Sequence, residues 1–215
     1  MRYTHIAFDI DGTLLDTAYT DLLGLRKALK EVTGREESMD ALWQFLGMPS
    51  VEILQSVGIQ DPECIQTIIP LWTEYRKERV DTVRLFPGVR ETIRALREAG
   101  ISTGIVTSKN ARGYASDFVP YGIADWFDPV VLSDDTQRHK PYPDPLIAFM
   151  RKTGAQAEEL LYVGDSVYDS RCAREAGVDF ALAIWGSCCP EKISAQHRLE
   201  KPQDLLMALG VMERV

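Results

Sequence analysis

Two aspartates one residue apart follow the first apolar run of the chain, in the segment Asp9-Ile10-Asp11-Gly12-Thr13. The apolar run indicates a buried strand, and Gly12 allows a sharp turn after it. Side chains alternate along a strand, so both carboxylates are expected on one side, where their repulsion raises one pKa unless a cation intervenes. Such a pair can supply a nucleophile or metal ligand beside a proton donor. The alternative is a turn with one capping aspartate and one solvated acid.

A pair of hydroxyl residues and a lysine beside prolines are further candidates. The β-rich run 101–106 ends at Thr107 and Ser108. Hydroxyl and backbone N–H groups at the junction of a strand and a helix can hold an anion, although a simple helix cap uses the same residues. Lys140 opens the run Lys-Pro-Tyr-Pro-Asp-Pro, whose prolines stiffen the backbone beside it. The alternative for this lysine is a solvated surface charge.

Two more aspartates follow a third strand-like run. Residues 160–163 read as a strand, and Asp165 and Asp169 come after them as the chain turns into a helix. Either aspartate could serve only as a helix cap. In open parallel sheets the site lies at the carboxyl ends of the strands, and all of these candidates occupy such positions.

Strand-like and helical patterns alternate around these residues. Strands are predicted near residues 4–9, 102–107, 129–133, 160–164 and 179–184. Helices are predicted near residues 88–99, 110–119, 144–152, 166–176 and 202–210. This alternation predicts an α/β fold, a Rossmann-like parallel sheet with helices on both faces.

The pattern changes between about residues 17 and 82, where no strand-like run occurs and glycines separate helical stretches. A stripe of apolar residues that begins at Leu22 predicts the core of an inserted helical bundle. Pro70 is expected to start or kink its last helix. The predicted domains are therefore an α/β core of residues 1–16 and 83–215 and an inserted α-helical domain of residues 17–82.

Composition favours a globular protein that works in the cytoplasm. The 215 residues are 45% hydrophobic and 26% charged, which allows one substantial core and a small second domain. The net charge of −8 disfavours nucleic acid as a partner. No apolar run reaches membrane-spanning length and no signal-peptide pattern occurs, so no membrane partner is expected. The cysteines, Cys64, Cys172, Cys188 and Cys189, are expected to be free thiols, although the adjacent pair could bridge or bind metal.

In this order, the motifs resemble those of the haloacid dehalogenase superfamily of phosphatases. The matching residues are Asp9-x-Asp11-Gly-Thr, Thr107, Lys140 before prolines, and Gly-Asp165-x-x-x-Asp169. Phe86-Pro87-Gly88-Val89 and the proline run are similar to the phosphoglycolate phosphatase branch. The resemblance spans nearly the whole chain, and it implies that the inserted domain is a cap over the site.

The resemblance also implies roles for the carboxylates. Asp9 would be the nucleophile that forms an aspartyl-phosphate, and Asp11 would protonate the leaving oxygen and then activate water. The implied cofactor is Mg²⁺, with Asp9, the Asp11 backbone carbonyl and Asp165 as ligands. Asp169 would lie at the metal or just behind it.

The remaining implied roles concern the substrate, a small phosphorylated metabolite. Thr107, Ser108 and Lys140 would hold the phosphate oxygens and the moving charge. Gly47 and Met48 belong to the cap segment where the resemblance places specificity. Phosphoglycolate is the first expectation, while pyrophosphate, nucleotide monophosphates and other small phosphate esters stay open. The sequence carries no signal for an oligomeric state.

The same residues argue for or against other functions. The carboxylate of Asp11 argues against a dehalogenase, which needs no acid for a halide leaving group. No lysine lies between Lys30 and Lys77, which argues against a phosphonate-cleaving enzyme with a cap Schiff base. A sugar phosphomutase with the same dyad stays open, and a catalytically silent binding module is the alternative outside enzymes.

Four residues near the motifs are interpreted as structural or solvated. Lys109 and Arg112 are expected to be solvated helix charges, and His139 an exposed loop histidine. Trp185 is expected to belong to the core and not to a substrate platform.

Overall fold

The computed structural model describes residues 2–211. Residues up to Leu15 and from Leu85 onward form one compact unit, and Asp16–Arg84 form the other. The boundaries expected from the sequence lie one and two residues from these positions.

The strands define the first unit. In chain order they are β1 (His5–Phe8), β2 (Leu15–Asp16), β3 (Arg84–Leu85), β4 (Ser102–Val106), β5 (Val130–Val131), β6 (Leu160–Gly164), β7 (Asp179–Ala183) and β8 (His197–Leu199). Six of them form a parallel sheet in the order β5-β4-β1-β6-β7-β8. The strands β2 and β3 pair separately, where the chain passes from one unit to the other. The predicted α/β fold with a parallel sheet is confirmed, and β8 is an additional strand that the sequence pattern did not reveal.

The helices follow the predicted alternation. In chain order they are α1 (Ala18–Thr33), α2 (Met39–Trp43), α3 (Ser50–Ser56), α4 (Pro62–Lys77), α5 (Val89–Glu98), α6 (Ala111–Asp117), α7 (Asp144–Thr153), α8 (Val167–Ala176) and α9 (Asp204–Ala208). In the first unit, α7 and α8 cover the sheet with a buried apolar cluster that includes Leu146, Phe149, Cys172 and Phe180. The predicted helix near residues 202–210 is shorter than expected.

The strand order brings the candidate residues together. The central strand β1 lies between β4 and β6, and Phe8 is in register with Ile105 on one side and Val163 on the other. The residues that follow these three strands therefore share one edge of the sheet. The backbone N–H of Asp9 donates to the Val163 carbonyl over 2.9 Å, which fixes the start of the loop after β1.

The second unit is helical. Its apolar core contains Leu25, Leu29, Leu42, Ile68 and Trp72, which come from α1, α2 and α4. Within the described residues 17–82 the structure contains no strand, in agreement with the sequence pattern. The last helix begins at Pro62 after the capping residue Asp61, and Pro70 lies inside it. Of the two alternatives expected for Pro70, a helix start is excluded, because the Asp-Pro pair already supplies a cap and a favourable first residue.

Two further expectations concern cysteines and membranes. All four cysteines are free thiols, as predicted. Among the described residues, every helix is too short or too polar to cross a membrane.

Candidate active site

The aspartate after β1 and the lysine before the prolines form a buried ion pair. Asp9 is only 7% exposed, and Lys140 Nζ lies 3.0 Å from its Oδ1 atom. The same Nζ lies 2.7 Å from Asp169 Oδ1. One ammonium group therefore bridges two buried carboxylates, which excludes the alternative that Lys140 is a solvated surface charge.

Asp169 is held on both of its oxygens. Oδ1 accepts hydrogen bonds from Lys140 Nζ and from the Tyr162 hydroxyl, the latter over 2.8 Å. Oδ2 accepts from the backbone N–H and the hydroxyl of Ser166. Ser166 in turn accepts from the Asp169 N–H, so this pair also caps the start of α8. The cap residue of α8 is therefore Ser166, with Asp169 as its capping-box partner, and the alternative that Asp169 is only a helix cap is excluded.

Asp165 faces the turn that follows Asp9. Its Oδ1 atom accepts a hydrogen bond of 3.0 Å from the Thr13 hydroxyl. Gly12 has a φ of +75°, and a Cβ atom there would lie 2.3 Å from Asp165 Oδ2. Only glycine satisfies both the left-handed backbone and this close approach.

Three carboxylates meet at this edge of the sheet. Asp9, Asp165 and Asp169 each offer one oxygen within 4.8 Å of the others. Carboxylate oxygens are the ligands that hard divalent cations prefer. The donor set therefore fits a divalent cation.

The pKa values of the three carboxyl groups reflect their burial and the positive charge of Lys140. Burial raises the pKa of Asp9 to about 7, although Lys140 opposes the shift. Burial likewise raises the pKa of Asp165 well above its usual value. Burial also acts on Asp169, but the charge and hydrogen bond of Lys140, together with hydrogen bonds from Ser166 and Tyr162, lower the pKa of this carboxyl. For Lys140 itself, burial opposes the charge, yet Asp169 and Asp9 raise its pKa. A cation among these groups would offset the cost of ionising Asp9 and Asp165.

A second buried lysine lies beside the other aspartate of the first motif. Lys109 is 9% exposed, and its Nζ lies 3.0 Å from Asp11 Oδ2 and 3.3 Å from Asp117 Oδ2. The expectation that Lys109 is a solvated helix charge is wrong, because its side chain is buried against Asp11, which is distant in sequence, and Asp117 at the end of the next helix. Arg112 and His139 are exposed, as expected.

The hydroxyl residues after β4 are not the cap of the following helix. That cap is Asn110, whose Oδ1 atom accepts from the Gly113 N–H over 2.8 Å. Thr107 is buried, and its Oγ1 atom accepts from the Lys109 N–H over 3.3 Å. Ser108 is exposed. The cap alternative is therefore excluded for both hydroxyl residues.

A late segment of the chain supports the first motif. The indole N–H of Trp185 donates to the Thr13 carbonyl over 3.0 Å. A Cβ atom at Gly186 would lie 1.7 Å from the Gly12 carbonyl oxygen. Trp185 thus supports this turn and is half-buried, whereas the sequence predicted a position in the core. The requirement for Gly186 was not apparent from the sequence.

Comparison with known proteins decides the family. The sequence profile of the haloacid dehalogenase-like hydrolases matches residues 6–183. The chain belongs to this family. Pyrophosphatase PpaX of Bacillus velezensis is 31% identical over 98% of both chains, and that of Halalkalibacterium halodurans is 29% identical over the full length of both. A solved structure from Lactobacillus plantarum, provisionally named a phosphoglycolate phosphatase, has 27% identity and a TM-score of 0.89 over 99% of this chain and 100% of its own.

As a haloacid dehalogenase-like hydrolase, the protein is an enzyme, as the motifs predicted. A catalytically silent module stays the disfavoured alternative, since Asp9, Lys140, Asp165 and Asp169, from three of the four motifs, lie close together. Gly47 and Met48 belong to the helical unit, where Gly47 has a φ of +80° and Met48 packs against that unit's own apolar core. Their role in specificity stays a prediction.

Proposed function

We propose that this hydrolase is a Mg²⁺-dependent phosphatase that works through an aspartyl-phosphate on Asp9. The observation that carries the proposal is the buried arrangement of Asp9, Asp165 and Asp169 around the ammonium of Lys140. An anionic nucleophile must approach an anionic phosphate, so the site needs positive charge that is already in position. Lys140 supplies one positive charge, and a divalent cation supplies the rest when bound.

The carboxylates are proposed to have two different roles, which are binding the cation and positioning the lysine. Asp9, Asp165 and the backbone carbonyl of Asp11 are the proposed ligands. Both oxygens of Asp169 already accept hydrogen bonds from Lys140, Tyr162 and Ser166. Asp169 is therefore proposed to lie behind the metal and to fix the direction of Lys140.

The reaction takes two displacements at phosphorus. A carboxylate oxygen of Asp9 forms a bond to phosphorus while the bond to the leaving oxygen breaks, and Asp11 gives its proton to that oxygen. Water then attacks the aspartyl-phosphate, Asp11 takes one proton from it, and the bond to Asp9 breaks. Thr107, the backbone at Ser108 and Lys140 bind the phosphoryl oxygens in both steps.

The proposed substrate is a small phosphate compound with a second anionic group. Pyrophosphate is supported by the whole-length similarity to two proteins named pyrophosphatase. Phosphoglycolate is supported by the solved relative with that provisional name and by the motifs around Phe86 and Lys140. The two compounds share a phosphoryl group and a negatively charged remainder, so both belong first in a substrate panel.

A phosphate-release assay tests the proposal. The purified protein should release inorganic phosphate from members of the panel with Mg²⁺ and stop when EDTA is added. Asp9→Asn keeps the size of the side chain but removes the nucleophile, so turnover should fall to background while the thermal unfolding curve stays cooperative. A clearly active Asp9→Asn protein would contradict the covalent mechanism. Transfer of phosphate to a second sugar position, in place of release, would indicate a phosphomutase.

A further inference from the structure

The buried side chain of Lys109 has a geometry that none of the proposed roles uses. Its Nζ atom lies 3.0 Å from Asp11 Oδ2 and 3.3 Å from Asp117 Oδ2. The lysine side chain is 7% exposed, whereas those of the two acids are 32% and 28% exposed. The cation thus lies deeper than both of its partners and cannot be a mobile surface charge.

Both ends of this arrangement are anchored. The N–H of Lys109 donates to Thr107 Oγ1, and its carbonyl accepts from the Ser133 N–H over 2.9 Å. Asp117 is the last residue of α6, whose first turn is capped by Asn110. The Lys109 side chain is buried between these anchored positions, which restricts its rotamers and holds the ammonium beside Asp11.

The contact also fixes the orientation of the Asp11 carboxyl group. Lys109 Nζ lies 3.0 Å from Oδ2, and a charge-assisted hydrogen bond to one oxygen restricts rotation of the whole carboxyl group. Both oxygens of Asp11 are therefore kept in fixed directions.

We propose that Lys109 is a positioning residue for Asp11, with Asp117 holding the lysine in place. The inference rests on the proposed function, in which Asp11 is the acid and base. Each aspartate of the first motif is then paired with its own buried lysine. Lys140 forms the ion pair with Asp9, and Lys109 forms the ion pair with Asp11.

A series of substituted phenyl phosphates separates this role from a structural one. These substrates have similar sizes but leaving groups that differ in their need for a proton. General acid catalysis contributes about 10²–10⁴-fold where a proton is needed. Lys109→Met should therefore lower kcat/KM, which reports the first displacement and not the later hydrolysis of the aspartyl-phosphate, by about 100-fold for phenyl phosphate and by less than about tenfold for p-nitrophenyl phosphate, whose leaving anion is stable. Lys109→Arg keeps the charge and should restore part of the lost rate.

A double variant shows whether Lys109 acts through Asp11. In an Asp11→Asn background, measured with phenyl phosphate, Lys109→Met should have little further effect on kcat/KM, because Lys109 then has no acid to position. Lys201→Met removes an exposed lysine of the same unit and is the matched control. Asp117→Asn should show the same dependence on the leaving group to a smaller degree, and it serves if Lys109→Met does not fold.

Two results would overturn the inference. Equal losses across the phenyl phosphate series, or losses that multiply in the double variant, would assign Lys109 a structural role only. A wild-type protein without Mg²⁺-dependent phosphate release would instead remove the proposed function on which the inference rests.

Discussion

The hydroxyl of Tyr162 lies 2.8 Å from Asp169 Oδ1, in the fully buried interior behind the site. It also accepts a hydrogen bond of 3.1 Å from Lys140 Nζ. The phenol therefore joins the acid and the base of a buried ion pair, and neither partner can turn away without breaking a bond to it. Burial and the charge of Asp169 raise the pKa of Tyr162 well above its usual value, so the phenol stays neutral.

Tyr162→Phe should weaken the site without abolishing it. The substitution keeps the ring in the core but removes a hydrogen bond to a charged group, which contributes about 1.5–3 kcal/mol. We expect the free energy of unfolding in urea to fall by roughly this amount and kcat to fall by about tenfold, since Lys140 gains freedom. Tyr162→Leu is the control for loss of packing. Unchanged values of both stability and kcat in Tyr162→Phe would contradict the positioning role of the phenol.

The stabilising effect of Mg²⁺ should grow with pH. Burial raises the pKa of Asp9 from 3.8 to about 7. A carboxyl whose pKa is higher in the folded state contributes stability below its unfolded pKa and loses that contribution as the pH rises through the folded value. The metal-free protein therefore loses this contribution between about pH 4 and pH 7, whereas a bound cation favours the ionised form.

Thermal unfolding between pH 5 and pH 8, with EDTA or with Mg²⁺, checks this linkage. The difference in Tm between the two conditions should increase over the range and become smaller in Asp9→Asn. A difference that is independent of pH would show that ionisation of the cluster is not coupled to the metal.

Asp165 and Asp169 should differ when each is replaced. Asp165→Asn removes charge from a proposed ligand, so the apparent affinity for Mg²⁺ should fall by an order of magnitude or more. Asp169→Asn leaves Lys140 with one counter-charge, so stability and kcat should fall while the affinity changes less. Titration of Mg²⁺ by calorimetry with each variant separates the two roles. A larger loss of affinity in Asp169→Asn would place Asp169 at the metal and Asp165 behind it.

Gly12→Ala should lower the free energy of unfolding by more than the strain of its left-handed backbone alone. Gly12 and Gly154 have φ values of +75° and +78°, but a Cβ atom at Gly154 meets nothing within 4 Å. Gly154→Ala therefore measures the strain alone, which is about 1–2 kcal/mol. Gly12→Ala adds a clash with Asp165, so both stability and Mg²⁺ affinity should fall further. Equal effects of the two substitutions in urea unfolding and calorimetry would show that Asp165 moves aside without consequence.

The sequence predicted the site where the determinants are local or follow from strand order. Asp9, Thr107 and Asp165 each come directly after a strand, and parallel strands bring such positions to one edge. Lys109 was interpreted as solvated and Tyr162 was not identified, because their contacts with buried acids depend on how the chain folds and not on a local pattern. A lysine after a strand reads as solvated, and a tyrosine within an apolar strand reads as core.

The same distinction between local patterns and contacts formed on folding applies to the secondary structure. The helices and long strands of the core follow their hydrophobic patterns, whereas β8 has three residues of which only Leu199 is buried. So short a strand gives no alternation to detect. Its position depends on pairing with β7, a contact that no local pattern encodes.

The packing of Gly186 and Trp185 against Gly12 and Thr13 has a consequence for synthesis on the ribosome. The chain emerges from its N-terminus, so Asp169, the last side chain of the proposed site, is made before the segment that supports the first motif. A nascent chain can thus contain every side chain of the proposed site before Trp185 and Gly186 pack against the turn after Asp9. Hydrolysis is expected to begin only when the C-terminal segment has docked, which makes the onset of activity a marker of completed folding.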